Sequence, residues 1–146
     1  MNKSNLKKCF SLFATGITSI ITKDKKMYIG ITVNSFGSVS LEPPLVMWCI
    51  NKKSSSINSF ISNKKDYSII FLSNSQKKIS NRLAGSDNKL QKIEFEKIKR
   101  NSLGFINCEL HKKISAGDHF IIIHKVKNYK LMSKKKPLIF FNSKYN

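Results

Sequence analysis

The residues best suited to chemistry in this 146-residue chain are small, polar and clustered. Residues 30–44 read GITVNSFGSVSLEPP and set Asn34, Ser35, Ser38 and Ser40 directly after an apolar run. A second group, Asn51, Ser54, Ser55 and Ser56, follows the next apolar run, VMWCI. Hydroxyls, amides and backbone N–H groups gathered at strand ends and at a helix N-terminus suit a phosphate or the polar edge of a ring. The same residue types are ordinary in turns, so the cluster by itself leaves a ligand cradle and plain loop chemistry both open.

Acid–base and metal chemistry find little footing. There are 8 acidic residues, and Glu94 and Glu96 fall in a charged stretch that does not support a glycosidase-type carboxylate pair. His111, His119 and His124 show no HExxH or similar metal spacing. The three cysteines, Cys9, Cys49 and Cys108, are far apart and form no CxxC pair. That argues against a zinc site and a secreted disulfide framework, and free thiols fit a reducing cytoplasm. Cys49 sits mid-strand in VMWCI and reads as a buried structural thiol rather than a nucleophile. Neither GxGxxG nor GxxxxGK followed by Ser or Thr occurs, so both common nucleotide fingerprints are missing.

The elements that must position these groups are mostly short strands. The opening MNKSNLKK and the apolar CFSLFATGITSIIT have the outline of a leader, but polar residues interrupt the apolar part and no small-x-small site follows. The reading adopted is a short helix, Asn5 to Phe13, then a strand from Thr15 to Thr22, where β-branched residues concentrate. Lys23 to Lys26 reads as a hairpin loop and Met27 to Val33 as the second strand. Leu45 to Ile50 is the third, delivered by the extended Pro43-Pro44 pair. Ser54 to Ile61 has the look of a helix with a hydroxyl N-cap. Tyr67 to Leu72 reads as a buried strand, and Ser75 to Ala84 as an amphipathic helix ended by Gly85. Asp87 to Arg100 is charged, loosely periodic and ambiguous. Gly104 to Ile114 and His119 to Lys127 are strands joined by Ser115–Asp118, and Leu138 to Phe141 closes the set. Seven or so strands with hairpin-length connections predict an antiparallel barrel with helical inserts rather than a parallel, doubly wound sheet.

Length and composition agree with one folded unit, residues 1–146, with no internal repeat and no long linker. A hydrophobic fraction of 40% excludes a disordered chain, and no apolar run approaches the roughly 20 residues of a membrane span. The net charge is +19, which raises nucleic-acid binding. Nearly all of it is lysine, however, scattered along the chain, and arginine occurs only at Arg82 and Arg100. Base reading and phosphate clamping favour arginine, so the charge reads as a solvated basic surface that concentrates anionic ligands.

Several fragments, in order, carry a resemblance: FATGITSIIT, then GITVNSFGSVSLEPPLVMWCI, then Gly117-Asp118-His119, and finally PLIFFNSKY. Together, over about Phe10 to Tyr145, the chain resembles the flavin reductase-like family. The resemblance implies a mainly β fold, an antiparallel split β-barrel that binds FMN, with a few short helices. It also implies a homodimer and hydride transfer from NADH or NADPH to FMN or FAD, with reduced flavin released to a partner such as a monooxygenase component. By matching positions, Thr32, Val33, Asn34 and Ser35 are expected to contact the flavin, and Ser38, Val39 and Ser40 to follow the ring and ribityl chain. Cys49 and Asn51 match the strand beside the flavin, and Ser54, Ser55 and Ser56 the segment near its phosphate. Arg82 precedes Leu83-Ala84-Gly85, which resembles a Phe-Ala-Gly turn of the family, and is expected to add charge there. His119 matches the residue facing the nicotinamide. No metal is implied.

The segment between Gly85 and Leu103 departs from the family pattern, being shorter, more charged and without its proline-containing stretch. That motivates a second reading, a flavin-binding electron carrier reduced by a partner. A basic β-barrel that binds nucleic acid is a third. Trp48 is bulkier than the small aliphatic residue expected beside Cys49 and is expected to pack in the core or a dimer interface.

Overall fold

A computed structural model describes residues 1–62, 65–132 and 134–146. The alternation of the isoleucine-rich segments builds the fold. In β2 (Thr18–Asp24) and β6 (Asp66–Phe71), which pair antiparallel, Ile20 and Ile69 point to one side of the sheet and Ile21 and Ile70 to the other. Side chains alternate along a strand, so neighbouring isoleucines feed two cores. One core gathers Ile20, Trp48, Phe60, Tyr67, Ile69 and Ile122. The other gathers Ile21, Ile70, Leu83, Phe95, Ile98 and Phe105 beneath the helices.

With β3 (Met27–Val33), β4 (Gly37–Leu41), β5 (Pro44–Asn51), β7 (Lys89–Leu90), β8 (Gly104–Ala116) and β9 (His119–Leu131), these strands form one eight-stranded sheet in the order β4-β5-β9-β8-β6-β2-β3-β7. Every neighbouring pair is antiparallel. A small sheet joins β1 (Thr15–Gly16), β10 (Ile139–Phe141) and β11 (Lys144–Tyr145). The helices are α1 (Lys3–Ser11), α2 (Ile57–Phe60), α3 (Lys77–Ala84) and α4 (Lys92–Asn101). The architecture is thus the mainly β, antiparallel split barrel with a few short helices that the resemblance implies. No helix among the described residues is long and apolar enough to cross a membrane.

The strand from Met27 to Val33 forms with the expected ends; other elements shift. Helix α1 starts at Lys3 because the Asn2 side chain caps it, accepting from Asn5 N at 3.1 Å. The expected strand 15–22 divides: Thr15–Gly16 pairs with β10, and β2 continues to Asp24. Residues 37–41, part of the polar cluster, form strand β4, because backbone pairing to β5 overrides their weak strand propensity. Strand β5 begins at Pro44, an edge-compatible first residue. The helix expected from Ser54 contracts to Ile57–Phe60, with no side-chain cap from Ser56.

Helix α3 begins at Lys77, after a short 3-10 turn, Asn74–Gln76, whose capping box pairs Ser73 with Gln76. The ambiguous stretch 87–100 resolves into β7 and α4, the latter opened by a Gln91/Glu94 capping box and burying Phe95 and Ile98. The hairpin of β8 and β9 is longer than expected. It pairs as far as Ala116 with His119 around a two-residue turn in which Gly117 has φ +59°. Helix α3 lies close on β3: a Cβ on Gly30 would stand 2.9 Å from Leu83 Cδ1. Trp48 is fully buried in the core, as one of the two expected locations had it.

Candidate functional site

The connection between β3 and β4 meets the end of β5 through one short contact. The backbone N–H of Cys49 donates to Ser35 Oγ at 2.9 Å. In β5 the side chains of Val46, Trp48 and Ile50 are buried, so Cys49 falls on the opposite face and is only half-buried. That corrects the expectation of a buried thiol: the strand's period of two turns Trp48 inward and Cys49 outward. Burial still raises the Cys49 thiol's pKa, while its hydrogen bond with Ser35 lowers it.

Asn51 ends β5 directly opposite His119, the first residue of β9. The Asn51 side-chain oxygen accepts from Lys53 N at 2.8 Å, and Lys52 N donates to Asp118 O at 3.0 Å. His119 Nδ1 lies 2.7 Å from Asp118 Oδ1, and this bond holds the Asp118 carboxyl below the usual carboxylate range. Ser54 Oγ accepts from Ser56 N at 3.4 Å, a long contact. Ser56 Oγ accepts instead from the Asn88 side-chain amide, and Asn88 O accepts from Gly30 N at 2.9 Å. One rim of the molecule therefore brings together Ser35, Cys49, Asn51, His119 and the 54–56 segment.

On the β3–β4 connection, on β4 and in the 54–56 segment several polar side chains have no partner among the described residues. Asn34, Ser38 and Ser55 are exposed, Ser40 is half-buried, and none makes a side-chain hydrogen bond. Val39 is 47% exposed, and the pairing of β4 with β5 shifts register between Ser38 and Ser40. Val33 is half-buried and packs against the inner core. Thr32 differs: its hydroxyl donates to Ser80 O at 2.7 Å and ties β3 to α3. Asn34 and Phe36 line a small cavity of about 130 Å³ with Thr15, Phe71 and Leu138.

Arg82 stands apart from the phosphate role implied for it, because its guanidinium is already satisfied. It donates to Glu94 Oε1 at 2.6 Å, Asp87 Oδ2 at 2.9 Å and Lys89 O at 2.7 Å. Glu94 in turn accepts from Gln91 N at 2.8 Å, and that bond, with Arg82, keeps its carboxyl below its ordinary range. A cavity of about 550 Å³ lies between α3 and α4, and of the expected site residues it touches only Arg82.

His124, read from sequence as an ordinary strand residue, is completely buried. Its Nδ1 lies 3.0 Å from Cys108 Sγ, its ring centroid is 4.6 Å from that of Tyr67, and its Nε2 has no partner. Desolvation lowers its pKa to about 4 and raises the Cys108 thiol to about 12, so both are neutral near pH 7. His111 is exposed on β8. Among the described residues no group of three His, Cys, Asp or Glu side chains is placed to hold a metal.

Sequence reading missed Asn88 and Lys53. Asn88 reaches Ser56 across 32 positions, a pairing that no local pattern encodes. Lys53 is exposed beside the three serines, and its ammonium has no partner among the described residues. Its adjacency was legible, but it was lost among 27 basic residues.

Comparison with known proteins shows the family and the fold. The family model described as "Flavin reductase like domain" matches residues 10–146. The reductase component of a flavin-dependent trigonelline monooxygenase from Acinetobacter baylyi is 36% identical over 132 residues, covering 85% of this chain and 42% of that protein. The FMN reductase (NADH) SmoA of Agrobacterium fabrum is 32% identical over 131 residues, covering 86% and 75%. The chain spans about two fifths of the length of the first curated relatives it matches, 42% and 41%. The solved flavin reductase PheA2 superposes with a TM-score of 0.84 at 29% identity, covering 100% of this chain and 97% of that one.

Proposed function

The chain belongs to the flavin reductase-like family, and from that premise we propose that it passes a hydride from NADH or NADPH to FMN or FAD. The observation that carries the proposal is the set of unpartnered polar groups on the β3–β4 connection, β4 and the 54–56 segment, Asn34, Ser38, Ser40 and Ser55, which flank the Ser35–Cys49 contact along β5. Polar groups without internal partners fit a ligand that brings its own acceptors and donors. When bound, the flavin supplies a ring that accepts the nicotinamide hydride, so the protein needs no strong acid or base of its own.

This chain's residues then have three tasks. Asn34 to Ser40, with Cys49 and Asn51, would hold the ring and ribityl chain, while Thr32, bound to Ser80 O, and Val33, packed on the core, would fix the start of that stretch. Backbone N–H groups of the β3–β4 connection would face the polar ring edge, where negative charge develops on reduction. Ser54, Ser55 and Ser56, with the unpaired ammonium of Lys53 nearby, would receive the phosphate. His119, held by Asp118, would orient the nicotinamide rather than act as an essential base.

The proposal extends to one catalytic domain over residues 1–146 and to delivery of reduced flavin to a monooxygenase component. A trigonelline monooxygenase reductase component among the relatives supports the latter. A homodimer is also proposed: α1 buries none of its residues, and Phe10, Leu12, Phe13 and Phe141 stay exposed around it. Three free thiols suit a reducing compartment such as the cytoplasm.

The test is NADH and NADPH oxidation by the purified chain, with and without added FMN or FAD. Oxidation that depends on flavin is expected. Bound flavin without oxidation would favour an electron carrier, and neither flavin nor oxidation would sink the proposal.

A further inference from the structure

We propose that Arg82 is a positioning residue: its clasp on Glu94, Asp87 and Lys89 holds Asn88 against Ser56 and thereby shapes the 54–56 segment. The proposal rests on the reading of that segment as the phosphate seat. Arg82 lies in the last turn of α3, and its planar fork bridges three pieces of chain. One arm reaches Glu94 at 2.6 Å, and Glu94 is itself bound to Gln91 N at the start of α4. The others reach Asp87 at 2.9 Å and Lys89 O at 2.7 Å. Asp87 is 74% exposed, so its share is weak, and the contacts to Glu94 and Lys89 O carry most of the restraint.

Between Asp87 and Lys89, the second of them the firmer anchor, lies Asn88. Its carbonyl accepts from Gly30 N at 2.9 Å, while its side-chain amide donates to Ser56 Oγ. Ser56 stands at the N-cap of α2, where its carbonyl accepts from Ser59 N at 3.0 Å, but its side chain makes no cap bond, and Ser54 Oγ meets its N–H only at 3.4 Å. Local backbone bonds place the Ser56 main chain, whereas its hydroxyl is held from across the fold, through Asn88. Arginine is required because one ammonium cannot span a carboxylate, a second carboxylate and a carbonyl in fixed directions.

The experiment measures FMN and riboflavin affinity by flavin fluorescence quenching on the full chain, since riboflavin lacks the phosphate. E94Q, R82K and N88A are each expected to weaken FMN about five- to tenfold, the worth of roughly one ordinary hydrogen bond, with riboflavin changed less than about twofold. E94Q added to N88A should cost nothing further, because both break the same line of contacts. FMN affinity unchanged or tighter in E94Q would overturn the proposal, since freeing a guanidinium that binds phosphate directly would not weaken FMN. Losses that multiply in the double variant would overturn it too. If E94Q fails to fold, R82K and N88A make the same comparison. The serine triple variant S54A/S55A/S56A separates the two ideas. Unchanged FMN affinity there defeats the phosphate seat itself, whereas weakened FMN there with unaffected E94Q and N88A defeats only the clasp.

Discussion

His119 is the residue whose proposed role, orienting the nicotinamide, is most easily tested. It opens β9 opposite Asn51, with its ring held through Nδ1 by Asp118. An orienting contact worth about 1.4 kcal/mol corresponds to roughly tenfold. His119→Ala is therefore expected to lower kcat/KM for NADH about tenfold or more while leaving the flavin Kd unchanged. Loss of flavin binding in that variant would show that His119 belongs to the flavin seat. Cys49 shows how a neighbour decides a residue's setting: its strand places it outside the core only because Trp48 occupies the inside.

At the scale of elements, the rim depends on helices gripping the sheet from behind. Thr32 Oγ1 binds Ser80 O at 2.7 Å, and Leu83 packs over Gly30, so α3 sits on the strand that leads into the candidate site. A methyl on Gly30 would stand 2.9 and 3.1 Å from the two Leu83 methyls. Those atoms end a flexible side chain, yet Leu83 is buried and has little room to turn. Gly30→Ala is expected to cost about 1–3 kcal/mol, as overpacking does, and to lower the urea midpoint. An unchanged midpoint would mean that α3 moves away freely.

The boundaries of these elements were partly legible. Strands with alternating or unbroken isoleucine runs stood out, whereas β4 did not, because Gly37, Ser38 and Ser40 lack strand propensity and pair only once β5 is beside them. The stretch 87–100 was obscured by charge: α4 buries only Phe95 and Ile98, so its apolar stripe is two residues wide.

For the whole molecule, pH and charge act together. The His124 pKa is about 4 when folded against an ordinary 6.5, so as pH falls the unfolded chain takes up the proton first. Stability then rises with pH across the window from about 4 to 6.5, and is lost progressively as pH drops through it. Between pH 7 and pH 5 the loss is expected to be about 2 kcal/mol from this group. Chemical denaturation at the two pH values measures it. His124→Gln should flatten that slope, and an equally steep slope would assign it to other groups. A net charge of +19 adds self-repulsion, which salt relieves and the histidine term does not.

By itself the sequence determined the strand-rich antiparallel fold, the resemblance over nearly the whole chain, and the clustering of small polar residues after two apolar runs. These are properties of local pattern: period-two alternation and runs of hydroxyl residues survive without knowledge of neighbours. Only the tertiary structure decided which charges are free. Arg82 and Lys53 look equally available as cations in the sequence, but two carboxylates and a carbonyl occupy the first while the second stands open. It also decided that His124 is buried against Cys108 and that Asn88 reaches Ser56. Hydrogen bonds and desolvation depend on groups brought within a few ångströms by folding, and separation along the chain carries no record of them.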